Sequence, residues 1–292
     1  MHSMLIAQIA LDPLSFFDSK SLRHDRQTLE AAGSELITYS ISDQLVRTNR
    51  GDLPLQRLAD ELKRQNADLV HIYGSPQGSR QWLRGIPKPY LSAFGVPRSR
   101  IPWSRLPAPA AIVTPLSPDS LPEAVDEGYF AEADSPPRQH GPFVIGSAGP
   151  QRKGIDVMTR ATMARLGRFR DDVEWRVFET IPSPAELQEL DLWIDPALDE
   201  LDFDGGTAEA LCARKTVVAS RTEVNRMRTE DGAAGLLVPV GDPNEMTHAI
   251  LLGLFKPELR KPRSQRLITI GARFERGARS ESLMKLYRSI LR

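Results

Sequence analysis

Three stretches of the chain carry residue types and spacings suited to chemistry. Gly205-Gly206-Thr207 opens a helical run. Two glycines let a backbone approach a ligand closely, and the free N–H groups of a helix start favour an anion. Read alone, the same residues are also an ordinary turn before a helix. Glu209 falls in the first turn of that helix, as a ligand or as a charge complementing the helix dipole by under ~1 kcal/mol. Arg152-Lys153-Gly154 sets two cations at the start of another helix, where they can offset phosphate charge or simply be solvated. Asp195, Asp199, Glu200, Asp202 and Asp204 crowd one short segment. They are too many for all to be ligands, so most are expected to be solvated.

Other reactive side chains read more blandly. His71 nears the end of an apolar strand, where it faces a ligand crevice or serves structurally. His24, beside Arg23 and Arg26, reads as solvated. Cys212 sits in an Ala/Leu-rich helix and reads as core. Arg98, Arg100 and Arg105 surround Trp103 in a basic loop, either a grip for an anion or a solvated turn. No histidine–carboxylate spacing suggests a metal site, and there is no Gly-x-Ser-x-Gly elbow.

Composition sets the class of molecule that must position these residues. The chain has 292 residues, 38 basic and 38 acidic side chains and a net charge of zero, which argues against a globally basic nucleic-acid binder. Hydrophobic residues make up 40% and charged residues 26%, enough apolar material for about two domains. A single cysteine excludes an intrachain disulfide framework. No apolar stretch approaches the ~20 residues of a membrane span. The opening segment lacks the basic start of a signal peptide, and its apolar run reads as a strand. These features predict a cytoplasmic protein.

Apolar strands alternate with amphipathic helices, the pattern of parallel sheets covered on both faces. Strands are predicted at Met4–Ala10, Glu35–Ser40, Asp68–Tyr73, Lys88–Phe94 and Ala110–Val113, with helices at Ser19–Ala32, Leu53–Asn66 and Pro118–Glu127. Ten of the 23 prolines fall between Pro76 and Pro122, so short elements and rigid turns are expected there. Ala131–Pro142 is polar and proline-rich and reads as a linker. A second series follows, with strands at Phe143–Gly146, Glu174–Phe178, Asp191–Asp195, Thr216–Ala219 and Leu236–Pro239. Its helices are predicted at Ile155–Leu166, Pro184–Leu190, Thr207–Lys215 and Pro243–Phe255, before a closing amphipathic tail. Two doubly wound domains are the natural reading.

The second series also carries a recognisable pattern. Ile194-Asp-Pro196, Phe203, Glu209-Ala210, Val217-Val-Ala-Ser220 and Gly235-Leu-Leu-Val-Pro-Val-Gly-Asp-Pro243 follow in the order seen in one enzyme family. Gly146–Asp156 and Arg273–Leu291 add its lysine–glycine segment and its closing helix. From Phe143 onward the chain resembles the family 4 glycosyltransferases (glycosyl transferases group 1). Arg23–Ser40 and Asp68–Tyr73 carry a fainter likeness in the first half.

The resemblance implies an α/β protein of GT-B fold: two Rossmann-like doubly wound domains facing a cleft, with a C-terminal helix crossing back. The expected division is an acceptor-side domain over residues 1–138, a nucleotide-sugar-binding domain over 139–272, and a closing helix over 273–292. It implies a retaining, metal-independent transfer from a nucleotide-diphosphate sugar, with no cofactor beyond that donor substrate. Lys153, helped by Arg152, and the Gly205-Gly206-Thr207 turn would meet the diphosphate, Glu209 the ribose, and Glu200 the transferred sugar. Counting back from Glu209 puts the sugar-binding acid at Leu201 instead, with Asp199, Asp202 and Asp204 as competitors. The acceptor, whether a sugar, a lipid-linked molecule or a small molecule, is unnamed; no nucleic acid or membrane span is implied, and a partner protein is left open.

Two departures from the family stand out. Ser147 occupies the position of its arginine, and Leu11–Phe17 lacks its glycine loop, with Phe16 and Phe17 lining a pocket or covering the sheet edge instead. They favour an alternative: a catalytically degenerate GT-B protein that acts as a sugar-nucleotide-binding or scaffold subunit.

Overall fold

The computed structural model describes residues 4–11, 16–42, 45–48, 51–73, 90–93, 111–113, 121–131, 142–149, 155–198, 205–256 and 261–292. The chain begins with β1 (Leu5–Leu11), α1 (Phe16–Ala31), β2 (Glu35–Ser42), β3 (Leu45–Thr48), β4 (Gly51–Pro54), α2 (Leu58–Gln65), β5 (Leu69–Tyr73), β6 (Tyr90–Ala93) and β7 (Ala111–Val113). It continues with β8 (Phe143–Ala148), α3 (Ile155–Leu166), β9 (Val173–Phe178), α4 (Pro184–Gln188), β10 (Leu192–Asp195) and α5 (Thr207–Cys212). Then come β11 (Thr216–Ser220), α6 (Glu223–Thr229), β12 (Leu236–Val238), α7 (Pro243–Phe255), α8 (Lys261–Gly271) and α9 (Arg276–Ile290). Packing divides these into two compact units, Met1–Ala124 with Arg276–Arg292, and Val125–Glu275.

In the first unit the strand order is β4-β3-β2-β1-β5-β6-β7. The strands from β2 to β7 across the sheet are parallel, whereas β3 pairs antiparallel with β2 and β4 antiparallel with β3. Strand side chains alternate between faces. Ala7, Ile9 and Leu11 join Val70 and Ile72 under Leu58 and Leu62 of α2. On the opposite face Ile6, Leu69 and Tyr73 pack with Leu29 of α1 and with Leu283 and Tyr287 of α9. Gly33, at φ +74°, turns the chain after α1 in a conformation that costs other residues.

The second unit is a fully parallel sheet of order β12-β11-β10-β8-β9. Phe143, Ile145, Leu192, Ile194 and Val218 face Met158 and Leu166 of α3 and Met246, Ile250 and Leu254 of α7. Val144, Trp193, Val217 and Ala219 face α5 and α8, through Ala208, Leu211, Leu267 and Ile270. Gly146 is required beside this layer, because a Cβ there would lie 2.3 Å from Leu190 Cδ1 and 3.0 Å from the Trp193 ring.

Several elements differ from expectation. The helix expected from Leu53 starts only at Leu58, because Gly51–Pro54 pairs as an edge strand with β3. Leu121–Asp126 is not helical. Its backbone is committed to distant partners: Val125 N–H donates to Phe274 O at 2.9 Å, and Pro122 O accepts from Arg279 Nη1 at 2.9 Å. Val125–Ala131, expected in the first domain, packs in the second unit, where Tyr129 Oη donates to Pro182 O at 2.8 Å and Ala131 N–H to Cys212 O at 3.1 Å. Arg273–Glu275 also belongs there, with Phe274 buried in its core. Helices α6 and α8 were not anticipated.

Candidate functional site

In the second sheet β8 connects outward to β9 and β10 connects the other way to β11, so the strand order reverses between neighbours β8 and β10. Such a reversal opens a crevice beyond the carboxyl ends of the two strands, the habitual ligand position in doubly wound sheets. Asp195 ends β10 there, completely buried.

Two side chains of β10 on one face clamp the turn into α5. Trp193 Nε1 donates to Gly205 O at 3.0 Å. The Asp195 carboxylate lies against the Gly205 α-carbon, where a Cβ would come within 2.1 Å of Oδ2. Gly206 follows at φ +70°, and a Cβ on it would meet the Trp193 ring at 2.9 Å. Thr207 Oγ1 then donates to Asp195 Oδ2 at 2.9 Å. Glycine is thus demanded twice in succession, first by close approach and then by backbone conformation.

The same carboxylate oxygen accepts from Asn225 Nδ2 of α6 at 3.1 Å. Asn225 Nδ2 also donates to Ser220 O at 3.1 Å, while its backbone N–H caps onto Thr222 Oγ1 at 3.2 Å. The ends of β10 and β11 and the starts of α5 and α6 are therefore joined by one set of buried polar side chains. Asn225 Oδ1 and Ser220 Oγ are buried without a hydrogen-bond partner among the described residues.

Of the residues expected in the site, Gly205, Gly206, Thr207 and Glu209 come together here. Glu209, in the first turn of α5, is 1% exposed. Arg152, Lys153 and Glu200 lie outside the described residues, as do Asp199, Leu201, Asp202, Phe203, Asp204, Arg98, Arg100, Trp103 and Arg105. The side chains of Phe16 and Phe17 are likewise not described. Ser147 is buried in β8, beside Val177 of β9. Cys212 is core. Asp195 and Asn225 were not anticipated as a pair. Asp195 was legible as a strand-end acid, but nothing in the sequence signals its partner thirty positions on.

His71 and His24 are both buried in the first unit. His71 is fully buried under α9, its Nδ1 2.6 Å from Tyr287 Oη and 2.9 Å from Tyr73 Oη. Tyr73 Oη donates to Asp25 Oδ2 at 3.0 Å, and Arg279 grips both Asp25 oxygens at 2.6 and 2.8 Å. Burial holds the His71 imidazole down to about 3, so it stays neutral, and burial pushes both tyrosine hydroxyls well above the ordinary phenol range. His24, expected to be solvated, is 2% exposed. It lies on the same inward face of α1 as Lys20, Ser21 and Asp25, a helix face that is polar and buried at once.

Comparison with known proteins follows from this geometry. A glycosyltransferase from Rickettsia africae matches over 100% of both chains with a TM-score of 0.75 at 12% identity. The Anabaena protein HepE, solved with UDP and glucose, matches over 99% of this chain and 100% of its own, with a TM-score of 0.64 at 12% identity. The fold is GT-B. At these identities the likeness is one of architecture. In sequence, the phosphatidyl-myo-inositol mannosyltransferase of Mycolicibacterium smegmatis is 26% identical over 199 residues, 58% of this chain and 51% of that protein. The match thus spans about half the length of the curated relative. No protein-family model matches the chain. Among the described residues no helix is long and apolar enough to cross a membrane.

Proposed function

We propose that this protein is a glycosyltransferase that moves a sugar from a nucleoside-diphosphate donor to an acceptor hydroxyl. The observation that carries the reading is the clamped turn Gly205–Thr207 beyond the sheet reversal, with the Glu209 carboxylate buried in the helix that follows. A rigid turn of this kind presents backbone donors to a diphosphate without reorganisation as the reaction proceeds. Glu209 would accept hydrogen bonds from the ribose. Lys153, with Arg152, would offset charge on the departing diphosphate, and Glu200 would contact the sugar. In the reaction an acceptor oxygen bonds to the anomeric carbon, the bond from that carbon to the donor phosphate breaks, and the acceptor proton leaves. Retention of configuration and independence from a metal ion are part of the proposal, and both rest on the family resemblance. The acceptor is a sugar, a lipid-linked molecule or a small molecule.

Thermal unfolding against UDP-, GDP-, ADP- and dTDP-sugars tests the reading, with UDP-glucose first because HepE was solved with UDP and glucose. A donor at 100 times its Kd stabilises the native state by ~2.7 kcal/mol, a midpoint shift of several degrees. Glu209→Ala should weaken the effective donor by ~1.5–3 kcal/mol. A cooperative unfolding transition that no donor moves would reject the donor site and leave a GT-B protein without turnover.

A further inference from the structure

The sequence pattern assigns no role to Asp195, yet the structure makes it the point on which the turn depends. It is fully buried, it fills the space beside the Gly205 α-carbon, and one of its oxygens accepts from both Thr207 and Asn225. A buried carboxylate is retained at a cost unless it is well hydrogen-bonded, and replacing it leaves its donors unsatisfied. Apolar residues dominate this side of the sheet, and Trp193 alone would hold Gly205 through its carbonyl. What the carboxylate adds is a fixed position for Thr207, and through Asn225 a link between that turn and α6, on the next strand connection. Asn225 Oδ1 and Ser220 Oγ, buried beside it with no partner among the described residues, show that this polar cluster is not closed on itself.

We propose that Asp195 is the positioning residue of the nucleotide site. It sets the placement of Gly205–Thr207 against the diphosphate and ties that placement to α6. This rests on the second unit being the donor-binding one. Asp195 itself touches no ligand. Its contribution is preorganisation, so its loss is felt in affinity beyond any general loosening of the fold.

The test measures UDP binding calorimetrically in the full chain, alongside amide hydrogen exchange at residues 205–209. Asp195→Ala should lower UDP affinity by about tenfold or more and speed exchange in the turn, because two donors lose their acceptor. Asp195→Asn should stay within about threefold of the parent, since its carbonyl oxygen can accept both bonds. Leu254→Ala, a cavity variant on the opposite face of the same sheet, should lower the Tm yet leave UDP affinity unchanged. Should Asp195→Ala fail to fold, Asn225→Ala removes one of the two bonds and should cost about three- to tenfold in affinity. Parent-like affinity in a folded Asp195→Ala or Asn225→Ala variant overturns the positioning role while leaving the donor site standing. Equal losses in Leu254→Ala would also overturn it, by making the effect one of stability. A parent protein that binds none of UDP, GDP, ADP or dTDP overturns the donor site itself, and this proposal with it.

Discussion

On the α1–α9 side of the first sheet ion pairs and hydroxyls are buried among the apolar side chains, whereas in the second unit the buried acids, Asp195 and Glu209, flank the glycine turn into α5. Both sheets share the same core order, with one reversal between neighbouring strands. In the first unit Asp25, Arg279, Tyr73, His71, Tyr287 and Gln8 are hydrogen-bonded into one network, and Lys20 pairs with Glu123 at 2.9 Å. Polarity there holds a helix in place. In the second unit the buried acids stand where the chain turns beyond the reversal of strand order. On the function proposed above, buried charge next to the glycine turn serves the donor, and buried charge between two helices serves the fold.

Breaking the buried pair between the two helices should cost most. Arg279→Met leaves Asp25 buried and unpaired, and should lower stability in urea by about 3–5 kcal/mol. Asp25→Leu combined with Arg279→Met should recover most of that loss. A double variant as unstable as the single one would show that the pair contributes more than mutual neutralisation. In the second unit, Gly205→Ala drives a methyl group into the Asp195 carboxylate and should cost about 1–3 kcal/mol, with loss of UDP binding as well. Retained UDP affinity in that variant would separate the turn from the ligand.

Proton linkage sharpens the contrast. His71 has a folded pKa of about 3 against an ordinary 6.5, so the unfolded chain binds the extra proton between those values. Its contribution is complete above pH 6.5 and is lost as pH falls toward 3. The slope is at most one proton, ~1.4 kcal/mol per pH unit. Tyr73 and Tyr287 act with the opposite sign. Their raised pKa values contribute stability that is complete below pH 10 and lost as pH rises further. Unfolding free energy measured from pH 4 to 8 should flatten in His71→Phe relative to the parent. The smallest effect belongs to the surface: Arg64→Ala removes an exposed pair with Glu61 and should change stability by under ~0.5 kcal/mol.

How much of this the sequence disclosed depends on the range of each interaction. The parallel strands were legible because most are short, largely apolar runs between helical stretches, and α3 and α7 because their periodicity lasts three turns or more. Gly205, Gly206 and Glu209 could be singled out because they lie within five residues of one another, with Glu209 in the family pattern. Strands β3 and β4, four residues each, are too short for alternation to register, and α6 spans only seven residues. Pairings between Asp195 and Asn225, or between Asp25 and Arg279, exist only once the chain is folded. The polar inward face of α1 misled for the same reason: His24 reads as solvated until α9 and the sheet enclose it.

The Asp25–Arg279 pair spans 254 residues of chain, and that separation has a consequence for how the protein is made. At ~5–20 residues per second of synthesis, Asp25 waits roughly 13–50 s for its partner. The second unit, contiguous from Val125 to Glu275, can be complete before the first, reversing the usual order in which the earlier domain finishes folding. During that interval the uncovered side of α1 offers the ribosome exit and passing chaperones Lys20, Ser21, His24 and Asp25 beside Leu22 and Leu29. A helix that must wait is kept wettable until its partner emerges.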